Sequence, residues 1–250
     1  MGRKIKAAIL VIGNEILSGK TQDQNVQYLA QQLSDLGIIL AEVRIVLDIG
    51  VDIIDAINIL RHKYDYVFST GGIGPTHDDI TAAAVAKAFG VTLERNQLVV
   101  RLIDDHYKER GMVAHKMSYR MADMPQGASL VINSISGAPG FSIENVYVFA
   151  GVPNIMRSMF ERIKLQLKTG AKFITEALVV SSSESRIAEM LGVLNLEYSM
   201  LNIGSYPFQK DGKWGIHLVI RGQNMFLVEE ALTKLQNYLI LENIEFQNAS

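Results

Sequence analysis

From Ile5 onward, short apolar runs rich in β-branched residues alternate with segments whose apolar positions recur at helical spacing. That is the pattern of a parallel sheet with crossover helices. Ile5 to Ile12 predicts a first, buried strand. After the loop GNEILSGKTQDQN, Val26, Leu29, Ala30, Leu33 and Leu36 fall on one helical face opposite Gln and Asp, and Gly37 supplies the stop. AEVRIVLD predicts a second strand, VDIIDAINILRH a second helix and YDYVFST a third strand. DDITAAAVAKAFG reads as a third helix ended by Gly90, and Gln97 to Arg110 as a fourth. ASLVIN and NVYVFAG supply further strands, and PNIMRSMFERIKLQL a helix with Pro153 in its first turn, where proline is tolerated. These elements form one α/β layer system over residues 1–170.

KTGAKF interrupts the periodicity and reads as a linker to a small α+β unit over residues 171–250. There TEALVV predicts a strand, SESRIAEMLGVL a helix, YSMLNIGSY and GIHLVIRG strands around a KDGKW turn, and MFLVEEALTKLQNYL a closing helix. Ser181 and Glu184 stand at capping-box spacing.

Composition narrows the function classes. With 250 residues, 48% hydrophobic, the chain can bury a sizeable core. A formal charge of −2 gives no global footprint for nucleic acid or an anionic membrane, and neither partner is expected. The absence of cysteine excludes disulfides, thiolate metal sites and a cysteine nucleophile, and fits a reducing compartment. The apolar run Ala7 to Ile12 is too short for a signal-peptide core, and no stretch approaches the roughly 18 to 20 apolar residues of a membrane span. A cytoplasmic protein is expected.

The densest candidate chemistry is VFSTGGIGPTHDDIT, Val67 to Thr81. Gly71, Gly72 and Gly74 lack a Cβ, so a ligand can approach their backbone N–H groups, and Asp78, Asp79 and Thr81 follow at once. The alternative is a plain strand-to-helix turn capped by Asp78. In an open parallel sheet, ligands collect beyond the carboxyl ends of strands. The loops there bring Glu15, Asp48, Asp78 and Asp79, carboxylates suited to a hard divalent cation or to activating a water. Asp23 and Asn25 either bind ligand or cap the helix starting near Asn25. Of the five histidines only His77 lies in the glycine loop, where it could touch a phosphate or assist proton transfer; most of them read as surface residues, and none has zinc-site spacing. There is no Walker loop, no dinucleotide-binding G-x-G-x-x-G and no G-x-S-x-G elbow. GKWG satisfies the G-x-x-G of a KH loop in form, but it lies in the expected hairpin.

Taken in order, GNEILSG with DQN downstream, TGGIGPTHDDIT, GAPGF and GVP resemble the molybdopterin-binding-like domain of the CinA (competence-damage-inducible) family. The C-terminal unit resembles the small KH-like domain that follows it in that family. The resemblance implies a three-layer α/β/α fold with a mostly parallel sheet and a pocket built by these loops. It implies a pyrophosphatase of ADP-ribose-like dinucleotides, dependent on Mg²⁺, Mn²⁺ or Co²⁺, or, as in the related MoaB and MogA proteins, a protein that binds or adenylylates molybdopterin. By position, Gly13 and Glu15 match the first loop, where Asn14 replaces a frequent Asp. Gly71, Gly72, Gly74, Asp79 and Thr81 match the second motif, Pro139 and Gly140 the third, and Gly151 and Pro153 the fourth. Phe149-Ala150 stands where many relatives have Leu-Pro.

On this reading Asp79, Glu15 and Asp78 are catalytic and Glu15, Asp48 and Asp79 hold the cation. The glycine loops, with Asn14, Asn25 and Thr81, hold the phosphates. The alternative is a pterin-nucleotide binder that does no chemistry. A homo-oligomer is expected, as is common among relatives, and a C-terminal deamidase domain, frequent in CinA proteins, is not.

Overall fold

A computed structural model describes residues 3–210 and 212–249 of the chain. It divides into two units, Met1–Gly170 and Ala171–Ser250. The first runs β1 (Lys6–Ile12), α1 (Asn14–Leu17), α2 (Asn25–Asp35), β2 (Ile39–Val46), α3 (Gly50–Lys63), β3 (Tyr66–Thr70) and α4 (Thr81–Phe89). It continues through β4 (Leu93–Arg95), α5 (Gln97–Lys108), a 3₁₀ segment (Lys116–Ala122), β5 (Asp123–Pro125), β6 (Ser129–Val131), β7 (Gly140–Ile143), β8 (Val146–Phe149) and α6 (Pro153–Ile163).

Strand β1 shows why the unit has three layers. Successive side chains of a strand point to opposite faces. Ala8, Leu10 and Ile12 pack with Ile53, Ile57 and Leu60 of α3, Val85 of α4 and Val99 and Ile103 of α5. Ala7, Ile9 and Val11 pack with Leu29 and Leu33 of α2 and Met156, Met159 and Phe160 of α6. A strand apolar on both faces is a central strand, and β1 lies between β2 and β3 in a sheet ordered β2-β1-β3-β8-β7-β6. The pairs β1–β2, β1–β3 and β3–β8 are parallel, so these strands end on one side of the molecule. The edge pairs β6–β7 and β7–β8 are antiparallel. GAPGF, expected to be only a turn, supplies the start of β7 with Gly140 and Phe141. The short antiparallel pair β4–β5 was also missed, because three-residue strands carry too little periodicity to register.

The second unit runs β9 (Ile174–Val180), α7 (Glu184–Glu197), β10 (Asn202–Lys210), β11 (Lys213–Gly222), α8 (Met225–Leu241) and β12 (Phe246–Asn248). Its sheet is antiparallel, ordered β10-β11-β9-β12. Ile187, Leu191 and Leu194 of α7 and Val228, Ala231, Leu235 and Leu239 of α8 are buried with Leu178, Ile216, Leu218 and Ile220 of the sheet. Tyr198 and Leu201, read as strand, are buried in the turn that ends α7. The capping box does not form. Ser183, not Ser181, occupies the N-cap without a side-chain cap bond, and the Glu184 carboxylate accepts from Ser205 Oγ instead. Asp211, in the expected KDGKW turn, lies outside the described residues. No helix among the described residues is long and apolar enough to cross a membrane.

Candidate functional site

Loops leaving the carboxyl ends of β1, β2, β3 and β8 enclose a cavity of about 730 Å³. The strand order reverses beside β1, which is where open α/β sheets place their ligand crevice. Gly13, Glu15, Asp48, Gly71, Gly72, Gly74, Asp78, Asp79, Gly151 and Pro153 all line it, so the acids expected to cooperate do share one space.

The glycine loop is built by steric necessity. Gly71 and Gly72 adopt φ of +101° and +68°, conformations that L side chains rarely take. A Cβ on Gly71 would stand 2.1 Å from the Ile12 carbonyl oxygen, and one on Gly72 2.1 Å from Thr81 Oγ1. Thr81, fully buried at the start of α4, donates its hydroxyl to Gly71 O at 3.0 Å and its N–H to Gly72 O at 3.0 Å. Thr81 therefore shapes the loop from behind and does not line the cavity. Gly71 N donates to Phe149 O at 3.1 Å, which withdraws it from the expected phosphate donors. The N–H groups of Gly72, Ile73 and Gly74 have no partner among the described residues.

The carboxylates differ in how far they are committed. Asp79 Oδ2 accepts from Thr76 N at 2.8 Å and from Thr76 Oγ1 at 2.5 Å, bracing the loop it belongs to, while Arg120 Nη2 donates to Asp79 O at 3.4 Å. Asp48 Oδ2 accepts from Asn14 N at 2.8 Å, and Asp48 N donates to Asn14 Oδ1 at 3.2 Å. Asn14 thus ties the loops after β1 and β2 together from outside the cavity. Glu15 folds back over Gly13, where an added Cβ would meet Glu15 Oε1 at 2.6 Å, and its carboxylate has no partner among the described residues. Asp78 does not cap α4, whose N-cap position is Ile80. Hydrogen bonds from Thr76 and from its own backbone, with the His77 ring nearby, hold Asp78 below the usual carboxylate range. The His77 side chain is 95% exposed and does not line the cavity, against the expected phosphate contact.

Several residues matched by motif lie elsewhere. Asn25 is buried and donates Nδ2 to Gly151 O at 2.8 Å, fixing the loop after β8 beside a separate cavity of about 70 Å³. Asp23 Oδ1 accepts from Val26 N at 2.7 Å, a helix-capping bond. Pro139 lies at another groove, and Gly140 sits under β8, where a Cβ would meet Val148 O at 2.3 Å. These four residues, Asn14, Asn25, Thr81 and Gly140, support the cavity's framework.

Sequence reasoning missed the opposite wall. Ile103, His106 and Tyr107 of α5, with Arg110 in the turn that follows it and Met112 and Met121 beyond, line the same cavity. His106 is half-buried, not a plain surface residue; burial, and then Arg110, lower its pKa. The i, i+3, i+4 spacing of Ile103, His106 and Tyr107 on α5 was the available signal.

A cation is tested by the donors present. Among the described residues no three His, Cys, Asp or Glu side chains assemble as a metal group. The trio Glu15, Asp48 and Asp79 is thus no preformed cage, because two of its members are engaged by Asn14 and Thr76. The free Glu15 carboxylate and the remaining Asp79 oxygen fit a cation such as Mg²⁺, which takes one or two carboxylates and completes its shell with water and substrate phosphate.

Residues 8–169 match the family model described as "Probable molybdopterin binding domain", and residues 172–247 match "FAD synthase, middle domain". The second match replaces the KH designation. A Clostridium beijerinckii protein that bears the name competence-damage inducible is 32% identical over 249 residues, covering 96% of this chain and 58% of the relative's own length. A Sulfolobus acidocaldarius protein is 34% identical over 249 residues, covering 94% of this chain and 92% of its own. The crystal structure of CinA from Thermoplasma acidophilum, a protein of unknown function by its own description, aligns with TM-score 0.60 and 27% identity over 65% of this chain and 98% of that one. With its mostly parallel sheet and its glycine and acid loops gathered at one end, the chain belongs to the molybdopterin-binding domain family, as a CinA-like member.

Proposed function

We propose that the cavity hydrolyses the phosphoanhydride bond of an ADP-ribose-like dinucleotide. The observation that carries this reading is the meeting, in one cavity, of the unpartnered Gly72–Gly74 amides with the unengaged Glu15 carboxylate and Asp79. Three adjacent N–H groups suit the non-bridging oxygens of a phosphate and offset the charge that builds on them. Glu15 is the group free to take a proton from an attacking water, and Asp79, braced by Thr76, keeps the loop in register with the phosphate. A divalent cation, when bound at Glu15 and Asp79 with Asp48 nearby, would supply neutralisation of the pyrophosphate charge.

The experiment is incubation with ADP-ribose, FAD and NAD in Mg²⁺, Mn²⁺ or Co²⁺, following AMP. Release by wild type and its loss in Glu15→Gln and Asp79→Ala is expected; equal background in all three withdraws the hydrolase.

A second reading, pterin-nucleotide binding without turnover, is supported by the match of residues 8–169 to the probable molybdopterin binding domain. Tight pterin binding together with inert dinucleotides selects it.

A further inference from the structure

The α5 wall has no part in the chemistry above, yet it is built with care. Asn133 is buried; it donates Nδ2 to Ala138 O at 2.9 Å and accepts at Oδ1 from the N–H groups of Ile135 and Ser136 at 2.9 and 2.6 Å. The loop it pins lies directly on α5, since a Cβ on Gly137 would meet His106 Cβ at 2.6 Å and Leu102 O at 2.8 Å. On the other side, Arg110 Nη1 donates to His106 Nδ1 at 2.9 Å and to His106 O at 3.0 Å. A guanidinium is only a donor, so Nδ1 must be the acceptor and the ring proton sits on Nε2. Burial, and then the Arg110 charge, lower the pKa of the ring and so favour its neutral form. Nε2–H has no partner among the described residues. The same cavity is lined by Tyr107, anchored through its hydroxyl to Ser118 Oγ at 3.2 Å, and by Met112, 51% exposed. The apolar surface of Tyr107 and Met112, one fixed N–H donor held by the Arg110 guanidinium, and a row of amide donors in one cavity match a ligand that is anionic at one end and flat at the other.

We propose that His106, fixed as its Nε2–H tautomer by Arg110, forms with Tyr107 and Met112 the ring-binding wall of this cavity. It takes a heteroaromatic ring that presents a carbonyl or ring-nitrogen acceptor at its edge. The proposal rests on the reading of the cavity as a phosphate-ligand site and adds the determinant for the ligand's other end.

The test is calorimetric titration of the full chain with AMP, FMN and ribose 5-phosphate, the last carrying a phosphate but no ring. Wild type should bind the ring-bearing phosphates roughly tenfold or more tighter than ribose 5-phosphate. His106→Phe, which keeps a flat ring but loses the donor, and Met112→Ala should shrink that ratio and leave ribose 5-phosphate unchanged. His106→Gln, which retains an N–H near the Nε2 position, should recover part of it. Equal affinity of wild type for all three compounds, no binding of any of them, or variants that weaken all three alike would overturn the proposal. Because the titration reads binding alone, a lost ring preference with turnover intact sinks the wall and spares the hydrolase. Ring preference without turnover supports the wall and sinks the hydrolase.

Discussion

The loop from Gly71 to Asp79 and the α5 wall face the same space, but the first is made of backbone and the second of side chains. In the loop, residue identity is dictated by sterics: Gly71 and Gly72 sit where any Cβ collides, and Thr81 and Thr76 hold the turn by hydrogen bonds. In the wall, His106 and Tyr107 of α5 and Arg110 just beyond it present side chains from the partly exposed face of an amphipathic helix and its end, where more substitutions are compatible with folding. The loop thus couples function to stability, whereas the wall can set specificity with little effect on folding.

Substitution in the loop should give the largest effect. Gly71→Ala forces a Cβ against the Ile12 carbonyl at a φ of +101°. It is expected to cost about 1–3 kcal/mol or more, lowering the melting temperature and abolishing ligand binding together. A variant with the wild-type melting temperature would break the claim that sterics build the loop. Next, Glu15 and Asp79 should part company. Glu15→Gln leaves the thermal midpoint unchanged within about 0.5 kcal/mol and lowers turnover by roughly 10² or more, because its carboxylate braces nothing. Asp79→Ala lowers both, since it also removes the Thr76 bonds. Equal melting of the two variants would erase the distinction.

Glu42, outside the cavity, contributes to folding in a pH-dependent way. Glu42 on β2 accepts from Lys63, Tyr64 and Arg44, which lower its pKa from 4.5 to about 2. A depressed carboxylate stabilises the fold fully above about pH 4.5 and loses that contribution as pH falls toward 2. Acid melts of wild type and Glu42→Gln should therefore differ by a constant amount above pH 4.5 and converge below it, with ligand affinity at neutral pH unaffected. The smallest effect belongs to Met112→Ala, which should change stability by less than about 0.5 kcal/mol, within the error of a denaturant melt.

What could be read from sequence follows the same division. Strand β1, with every position from Ala7 to Ile12 apolar, announced a buried strand, and the glycine-acid run announced the crevice, because both depend on residue type at fixed spacing. The roles of Asn14, Asn25, Thr81 and Gly140 did not follow. Each stands in a motif, but whether it faces the cavity or the framework is set by partners 34, 126, 10 and 8 positions away. His106 was passed over for the converse reason. Helical spacing groups it with Ile103 and Tyr107, but only the Gly137 loop and Arg110 that close around it turn that face into a cavity wall.

The claim on which these inferences depend is that the Gly72, Ile73 and Gly74 amides form the anion cradle of the cavity. A crystal structure of the protein with AMP tests it most directly. Phosphate oxygens within hydrogen-bonding distance of those three nitrogens, with Glu15 and Asp79 alongside, are the predicted result; a phosphate held anywhere else on the molecule would contradict it.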